Sequence, residues 1–454
     1  MKKKIFLAKK NRVWGITFLM LFTSIMLILL TSACGAKKVA QNNTAPVGGI
    51  FCNGPNDPPH GDWGAPNKFD FKKVNISDDE VNVAFGLITD THLDALTCNK
   101  SPAPCLSLGY SDWYNDSDKM KRTRKVIIDL NMDCHKSGAV GVDCLGIMHL
   151  GDMIHNFDNY PQQLLAFRQL YEYDYPGANA GTVYQNEECS PNNKMAYARR
   201  DDNNRFLRIN LPVIPMLGNH DATNNSDHAK WGPGGYIIQR LTHANGLLSE
   251  YPHPPAESTS FAWRWGKYVF ISLGLWAGFP GYNDATQTDM TRLTWLKEVL
   301  DSTVKENLGV LLFQHYGWDG FSKSPQCNGC PPWWTDDQRD MMLDVLCRRD
   351  IEPGNNDTCT PYNILGIFTG HNHHQRWICL DAQGNEIDCS NTANVVFENF
   401  SFMPSGEKDT TDSCNGCYGF SVIHLTGDKM EIHTKEKKLD SYWPVTVRQI
   451  KVGN

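Results

Sequence analysis

The chain predicts an α/β fold with sheets at its centre, and three observations carry that expectation. From Val81 onward, short apolar runs recur and end abruptly in polar, ligand-type residues; amphipathic helical stretches fall between them; and β-rich segments close the chain. The 454 residues, 41% hydrophobic and 20% charged, are ordinary globular composition and suffice for one large domain or two small ones.

The runs come in order. Residues 83–88 precede Thr89-Asp90, residues 145–148 precede Gly151-Asp152, and residues 213–217 precede Gly218-Asn219; residues 310–313 then precede Gln314-His315, and residues 364–368 precede Gly370-His371. Short β-rich runs of this kind read as buried strands. Between them, residues 119–130 place Val126, Ile127 and Leu130 on one helical face, and residues 161–171 open on Pro161 and carry Leu164, Leu165 and Leu170. Residues 289–300 carry Leu293, Leu296 and Leu300, and residues 336–348 follow Thr335 as N-cap and carry Met341, Met342 and Val345. Residues 376–380, 395–402, 419–425 and 430–435 read as a strand meander that completes the second sheet. Ligands of open α/β sheets sit beyond the carboxyl ends of the strands, and every polar cluster lies at such an end.

The N-terminus is of another kind. Lys2, Lys3, Lys4, Lys9, Lys10 and Arg12 precede an apolar run over residues 14–30 and then Thr31-Ser32-Ala33-Cys34, the plan of an export signal. Leu30-Thr31-Ser32-Ala33-Cys34 resembles a bacterial lipobox, although that family prefers Leu where Thr31 stands. The resemblance implies a signal peptide over residues 1–33, a lipid on Cys34 and a membrane-anchored bacterial lipoprotein in the periplasm or on the cell surface. An uncleaved anchor and ordinary secretion are the alternatives, and all three export the rest. Residues 34–78, rich in Asn, Pro and Gly, read as a linker, and residues 79–454 as the functional domain.

Without residues 1–33 the chain keeps 37 Lys+Arg against 50 Asp+Glu, a net charge of −13. That balance argues against nucleic acid as a partner. Fourteen cysteines besides Cys34 fall into short-range pairs: 98 with 105, 134 with 144, 327 with 330, 347 with 359, 379 with 389 and 414 with 417, with Cys52 and Cys189 left for a longer link. Disulfides of an oxidising compartment fit this pattern. A four-cysteine zinc site on Cys327, Cys330, Cys414 and Cys417 is the rival.

The strand ends together offer Asp90, His92, Asp152, Asn219, His220, Asp221, His315, His371 and His373. Oxygen and imidazole donors without thiolate suit Mn, Fe, Zn or Ni ions. They are too many for one ion, and a carboxylate with two oxygens is the natural bridge between two. The glycines before Asp152, Asn219 and His371 are read as letting the backbone turn and approach the ions.

Asp90-x-His92, Gly151-Asp152, Gly218-Asn219-His220-Asp221, the lone His315 and Gly370-His371-x-His373 together resemble the calcineurin-like metallophosphoesterases over roughly residues 80–440. The resemblance implies a four-layer α/β/β/α sandwich with a dinuclear centre at the carboxyl edge of its strands. Asp90, His92, Asp152 and His373 would hold one metal ion; Asp152, Asn219, His315 and His371 would hold the other. His220 would act as general acid or transition-state stabiliser, with Asp221 orienting its ring. The implied reaction is hydrolysis of a small-molecule or lipid phosphate ester by a metal-bridging hydroxide, a phosphodiester slightly preferred. A phosphomonoesterase or nucleotidase is the alternative, and a catalytically silent, lipid-anchored binding module a third reading.

His155 stands about where purple acid phosphatases place a metal-binding Tyr, which argues against a purple enzyme. With Asp90-x-His92-x-Asp94, it is similar to acid sphingomyelinase-like members. Trp318, Asp319, Trp333 and Trp334 flank His315 and serve either a substrate surface or the packing of a disulfide loop.

Overall fold

The computed structural model describes residues 77, 81–93, 118–136, 138, 140–155, 167, 170–171, 209, 211–222, 237, 251–252, 258–279, 288–318, 335–352, 357–406, 416–427, 429–438, 441–442 and 446–451. The export signal, nearly all of the linker, and the cysteines at 52, 98, 105, 189, 327, 330 and 414 lie outside them, as do Asp94, Asn156, Asp319, Trp333 and Trp334.

Two sheets are built from fourteen described strands: β1 (Asn82–Ile88), β2 (Ile147–His149), β3 (Val213–Pro215), β4 (Phe261–Trp265), β5 (Tyr268–Ser272), β6 (Gly309–Phe313), β7 (Ile364–Thr369), β8 (Arg376–Leu380), β9 (Glu386–Ile387), β10 (Phe397–Ser401), β11 (Tyr418–Thr426), β12 (Lys429–Lys438), β13 (Ser441–Tyr442) and β14 (Thr446–Lys451). The first sheet runs β13-β12-β11-β1-β2-β3, with β14 also on β12; the second runs β4-β5-β6-β7-β10-β8-β9. Three helices are described: α1 (Asp118–Asp133), α2 (Met290–Val304) and α3 (Asp336–Leu346). Of the helix expected over 161–171, Phe167, Leu170 and Tyr171 are described, all helical and buried.

Strand β1 shows why the layers stack as they do. Phe85 points into the second sheet, its ring edge-on to Phe270 at 5.3 Å, Phe313 at 5.9 Å and Phe368 at 6.5 Å. Gly86, one residue on, faces the other way as the period of two requires. A Cβ there would sit 3.0 Å from Leu130 of α1, so the missing side chain lets that helix lie close. On the far side α2 packs on α3 and β6. The order is helix, sheet, sheet, helix. Helix α2 starts at Asp289, whose carboxylate accepts from Thr291 N, and α3 starts at Thr335 in a reciprocal capping box with Gln338.

The carboxyl ends of the parallel strands β1, β2 and β3 and of β6 and β7 carry the ligand motifs. The closing strands depart from a simple meander. β8 and β10 join the second sheet, with β10 parallel to β7, but β11 and β12 belong to the first, where β11 lies antiparallel along β1 from Asn82↔Thr426 to Leu87↔Ser421. The physical reason is that β1 is buried and its second backbone edge must be paired. The hairpin β4–β5 around Gly266-Lys267 went unread in the sequence, although its aromatic run broken by a Gly-containing turn is a hairpin signal.

Three disulfides are described, Cys134–Cys144, Cys347–Cys359 and Cys379–Cys389, and Cys417 is also disulfide-bonded. Each of the three closes a short loop at the end of a helix or hairpin. No described helix is long and apolar enough to cross a membrane.

Phe85→Ala should cost about 3–5 kcal/mol, because its ring fills the contact between the two sheets. Denaturant unfolding with the disulfides intact measures this; a loss below about 1 kcal/mol would mean that the sheets do not depend on that contact.

Candidate metal centre

The site is held by backbone in an uncommon conformation. Asp90, His92, Asp152, His371 and His373 all have positive φ, between 42° and 69°, and together with Asn307 and Arg348 they are the non-glycine residues that do so among those described. Such conformations cost about 1–3 kcal/mol each and persist where surrounding contacts over-determine them. The turn thus falls on the ligands themselves. Gly151 is left-handed too, whereas Gly218 and Gly370 are close-approach positions: a Cβ on either would strike Asp152 or the Thr89–Asp90 pair.

Asp90 is aimed by its neighbours. Its Oδ2 accepts from Thr89 Oγ1 at 2.6 Å and from His371 N at 3.0 Å, which leaves Oδ1 facing His373 Nε2 at 3.2 Å and His92 Nε2 at 3.7 Å. Asp152 repeats the arrangement. Its Oδ1 accepts from His220 N at 2.8 Å, and Oδ2 faces His315 Nε2 at 3.3 Å and His92 Nε2 at 3.5 Å. His92 Nε2 and His373 Nε2 are 3.0 Å apart. His315 donates from Nδ1 to Leu150 O at 2.7 Å, so that its Nε2 turns to Asp152 and to Asn219 Oδ1 at 2.9 Å.

Three groups of ligand atoms result among the described residues: Asp90 with His92, Asp152 and His373, and Asp152 with His315 and His371, which have Asp152 in common, and His92 with His155 and His220. A cation fits the first two. Asp90 Oδ1 and Asp152 Oδ2 are buried and accept no hydrogen bond among the described residues. Burial opposes ionisation of both carboxyls, but His373 beside Asp90 and His315 beside Asp152 hold each well below the usual carboxylate range. Burial drives the His92 imidazole down to about 4 and His371 far below its ordinary value, so both are neutral with lone pairs to offer. For His315 burial acts the same way but the negative charge of Asp152 prevails, pushing it up to about 9. In the metal-free chain a proton on His315 stands in for part of the missing positive charge.

His220 and Asp221 are placed differently from each other. His220 Nδ1 donates to His155 O at 2.6 Å, and its ring lies edge-on to His92 at 4.6 Å and roughly parallel to His155 at 5.8 Å. No hydrogen bond joins Asp221 to that ring among the described residues, although the Gly-Asn-His-Asp segment led to the expectation that it orients the ring. The Asp221 oxygens accept Gly218 N at 2.9 Å and Met153 N and Ile154 N at 3.1 Å each, pinning the loop after β2 to the loop after β3. Burial and the charge of Asp152 push Asp221 up to about 7 in the metal-free chain, against the pull of those three donors.

His149 entered no sequence-based assignment, and nothing in the spacing signals it. Burial holds it down at about 3, so it is neutral. Its Nδ1 accepts from Gly151 N at 3.2 Å, so Nε2 carries the proton and donates to Thr91 Oγ1 at 2.9 Å; Thr91 Oγ1 in turn donates to Met153 O at 3.1 Å. Trp318 is buried, and its backbone N–H donates to Asn399 Oδ1 at 3.0 Å.

An α/β/β/α sandwich whose strand ends converge two anionic carboxylates and neutral imidazoles defines a metal-dependent phosphoric-ester hydrolase. The chain belongs to the calcineurin-like phosphoesterase family, whose model matches residues 83–375. No curated protein matches the chain. Among solved structures, one described as "Structure of PhoD" is 12% identical, with 82% of this chain and 70% of that chain covered and a TM-score of 0.43. Vacuolar Protein Sorting 29 from Cryptosporidium parvum is 9% identical, with 82% and 100% covered and a TM-score of 0.24.

Two outcomes are expected here. Asp221→Asn should destabilise the fold by about 2–4 kcal/mol, since an amide cannot accept three N–H donors as a carboxylate does; thermal unfolding of the metal-free protein reads it, and an unchanged Tm with reduced turnover would restore the orienting role. Because His315 titrates at about 9, filling its group at pH 7.5 must displace a proton. Calorimetry in two buffers of different ionisation heat should therefore show about one proton released, and affinity should rise about tenfold per pH unit below pH 9.

Proposed function

We propose that the protein hydrolyses phosphodiesters outside the cytoplasm with two divalent ions, and the observation that carries this is the sharing of Asp152 between two ligand groups. Asp90, His92, Asp152 and His373 hold one ion, and Asp152, Asn219, His315 and His371 the other. When bound, such ions supply Lewis-acid polarisation of the phosphoryl group and a nucleophile at neutral pH.

The chain's own residues do the rest. The Leu150 carbonyl keeps the proton of His315 on Nδ1 and its Nε2 free to ligate. Thr89 and the His371 N–H occupy one oxygen of Asp90 and leave the other to the ion. His220, with Nδ1–H committed to the His155 carbonyl, has Nε2 left for the substrate; as an imidazolium it would deliver its Nε2 proton to the departing oxygen and be left neutral. A diester is favoured over a monoester because every described ion-pair partner of Asp90 and Asp152 is a histidine. No Lys or Arg appears among them to neutralise the second charge of a terminal phosphate. The three disulfides support an oxidising compartment, and the lipobox-like segment at Cys34 supports a lipid anchor there.

Turnover of an aryl phosphodiester by the Mn-loaded protein should exceed that of the matching monoester and vanish with chelator. Monoester preference would move the assignment to a phosphatase or nucleotidase. Asp152→Asn should fall to the level of the chelated enzyme while keeping its fold. His220→Ala should lower kcat by about 10²–10⁴ for an alkyl leaving group and by less for a nitrophenyl one, the signature of a lost proton donor.

A further inference from the structure

The first ligand segment is gripped from both sides. On one side Asp90 N donates to Gly151 O at 3.1 Å and His92 N to Asp152 O at 3.0 Å, so the loop after β2 runs beside it as a continuation of the sheet. On the other lies the short segment after β10, which belongs to no motif and to no strand. Ser405 N donates to Thr89 O at 2.8 Å, Thr89 N donates back to Ser405 Oγ at 3.3 Å, and Gly406 N donates to Asp90 O at 3.3 Å.

This strap is itself anchored. Ser405 Oγ donates to Gly419 O at 2.8 Å on β11, Gly419 N donates to Pro404 O at 2.9 Å, and the buried Arg122 of α1 donates from Nε to Gly406 O at 2.9 Å. Ser405 is wholly buried. Gly406 has no room for a side chain, because a Cβ would strike the carbonyl group of Thr91. Positive φ at Asp90 and His92 needs support from outside the segment, and these contacts provide it on the flank that the second motif leaves open.

We propose that Ser405 and Gly406 are positioning residues for the first ligand group. They fix the backbone of residues 89–92 so that Asp90 Oδ1 and His92 Nε2 converge with His373. The second group hangs on β3, β6 and β7, and its ties to that segment are the shared Asp152 and the His371 N–H bond to Asp90. This inference rests on the two-ion reading above.

The test is Mn²⁺ titration of the metal-free full-length protein, followed by calorimetry and by electron paramagnetic resonance, which separates a lone Mn²⁺ from a coupled pair. Wild type should bind two ions. Ser405→Ala should weaken one of them about 10–100-fold, as loss of outer-shell support does, and leave the other within about threefold, replacing the coupled signal by that of a lone ion. Gly406→Ala should do so more severely. Hydrogen exchange of the metal-free Ser405→Ala protein should quicken at residues 89–93 and not at 213–222. Leu300→Ala, which loosens the core under α2 without touching the strap, should keep both affinities. Unchanged Mn²⁺ affinities in Ser405→Ala, or equal weakening of both ions, would overturn the proposal and leave the two-ion reading standing. Failure of wild type to bind Mn²⁺ would overturn both.

Discussion

Two carboxylates, Asp90 and Asp152, are buried at the seam of two sheets, each with an oxygen that accepts no hydrogen bond among the described residues. Charge of that kind is sustained in a protein interior only by nearby positive charge. The surroundings of both are arranged accordingly. Imidazoles approach from four chain segments, three of the four most buried among them carry no charge at neutral pH, and His315 supplies what positive charge the metal-free chain can muster. A cation between the groups would complete the balance, so that the chemistry of the family and the stability of this region would depend on the same atoms.

That demand explains the backbone. Five ligands sit in the left-handed region, where side chains are disfavoured, and each is locked by bonds from a different part of the chain. His371 N reaches Asp90, His220 N reaches Asp152, and Asp221 collects three N–H groups from two loops. Neutral His149, through Thr91, ties the first ligand loop to the second. The sheets contribute rigidity: Phe85, Phe270, Phe313 and Phe368 pack as one aromatic cluster directly beneath the strand ends that carry the ligands.

Much of this was legible beforehand. The strands ending at Asp90, Asp152, Asn219, His315 and His371 declared themselves because a buried parallel strand is an unbroken apolar run and a ligand beyond it is abruptly polar. The structure brings Asp90, His92, Asp152, Asn219, His220, His315, His371 and His373 together at one edge. The membership of β11 in the first sheet was not legible, since its apolar pattern is the same in either sheet and only pairing with β1 distinguishes them. That Asp221 bonds backbone N–H groups rather than the His220 ring was not legible either, because adjacency to His220 in sequence says nothing about which way two consecutive side chains point.

By itself, then, the sequence determined the element types, the candidate ligand residues and the family, because these depend on local periodicity and on residue chemistry at strand ends. Only the tertiary structure decided which oxygen of each aspartate faces the imidazoles, which nitrogen of His315 turns to Asp152, that a carbonyl rather than a carboxylate holds His220, and that Ser405 and Gly406 flank the first ligand segment. Those outcomes are hydrogen bonds between residues tens to hundreds of positions apart. No pattern along the chain encodes them, because they exist only once separate segments have been packed side by side.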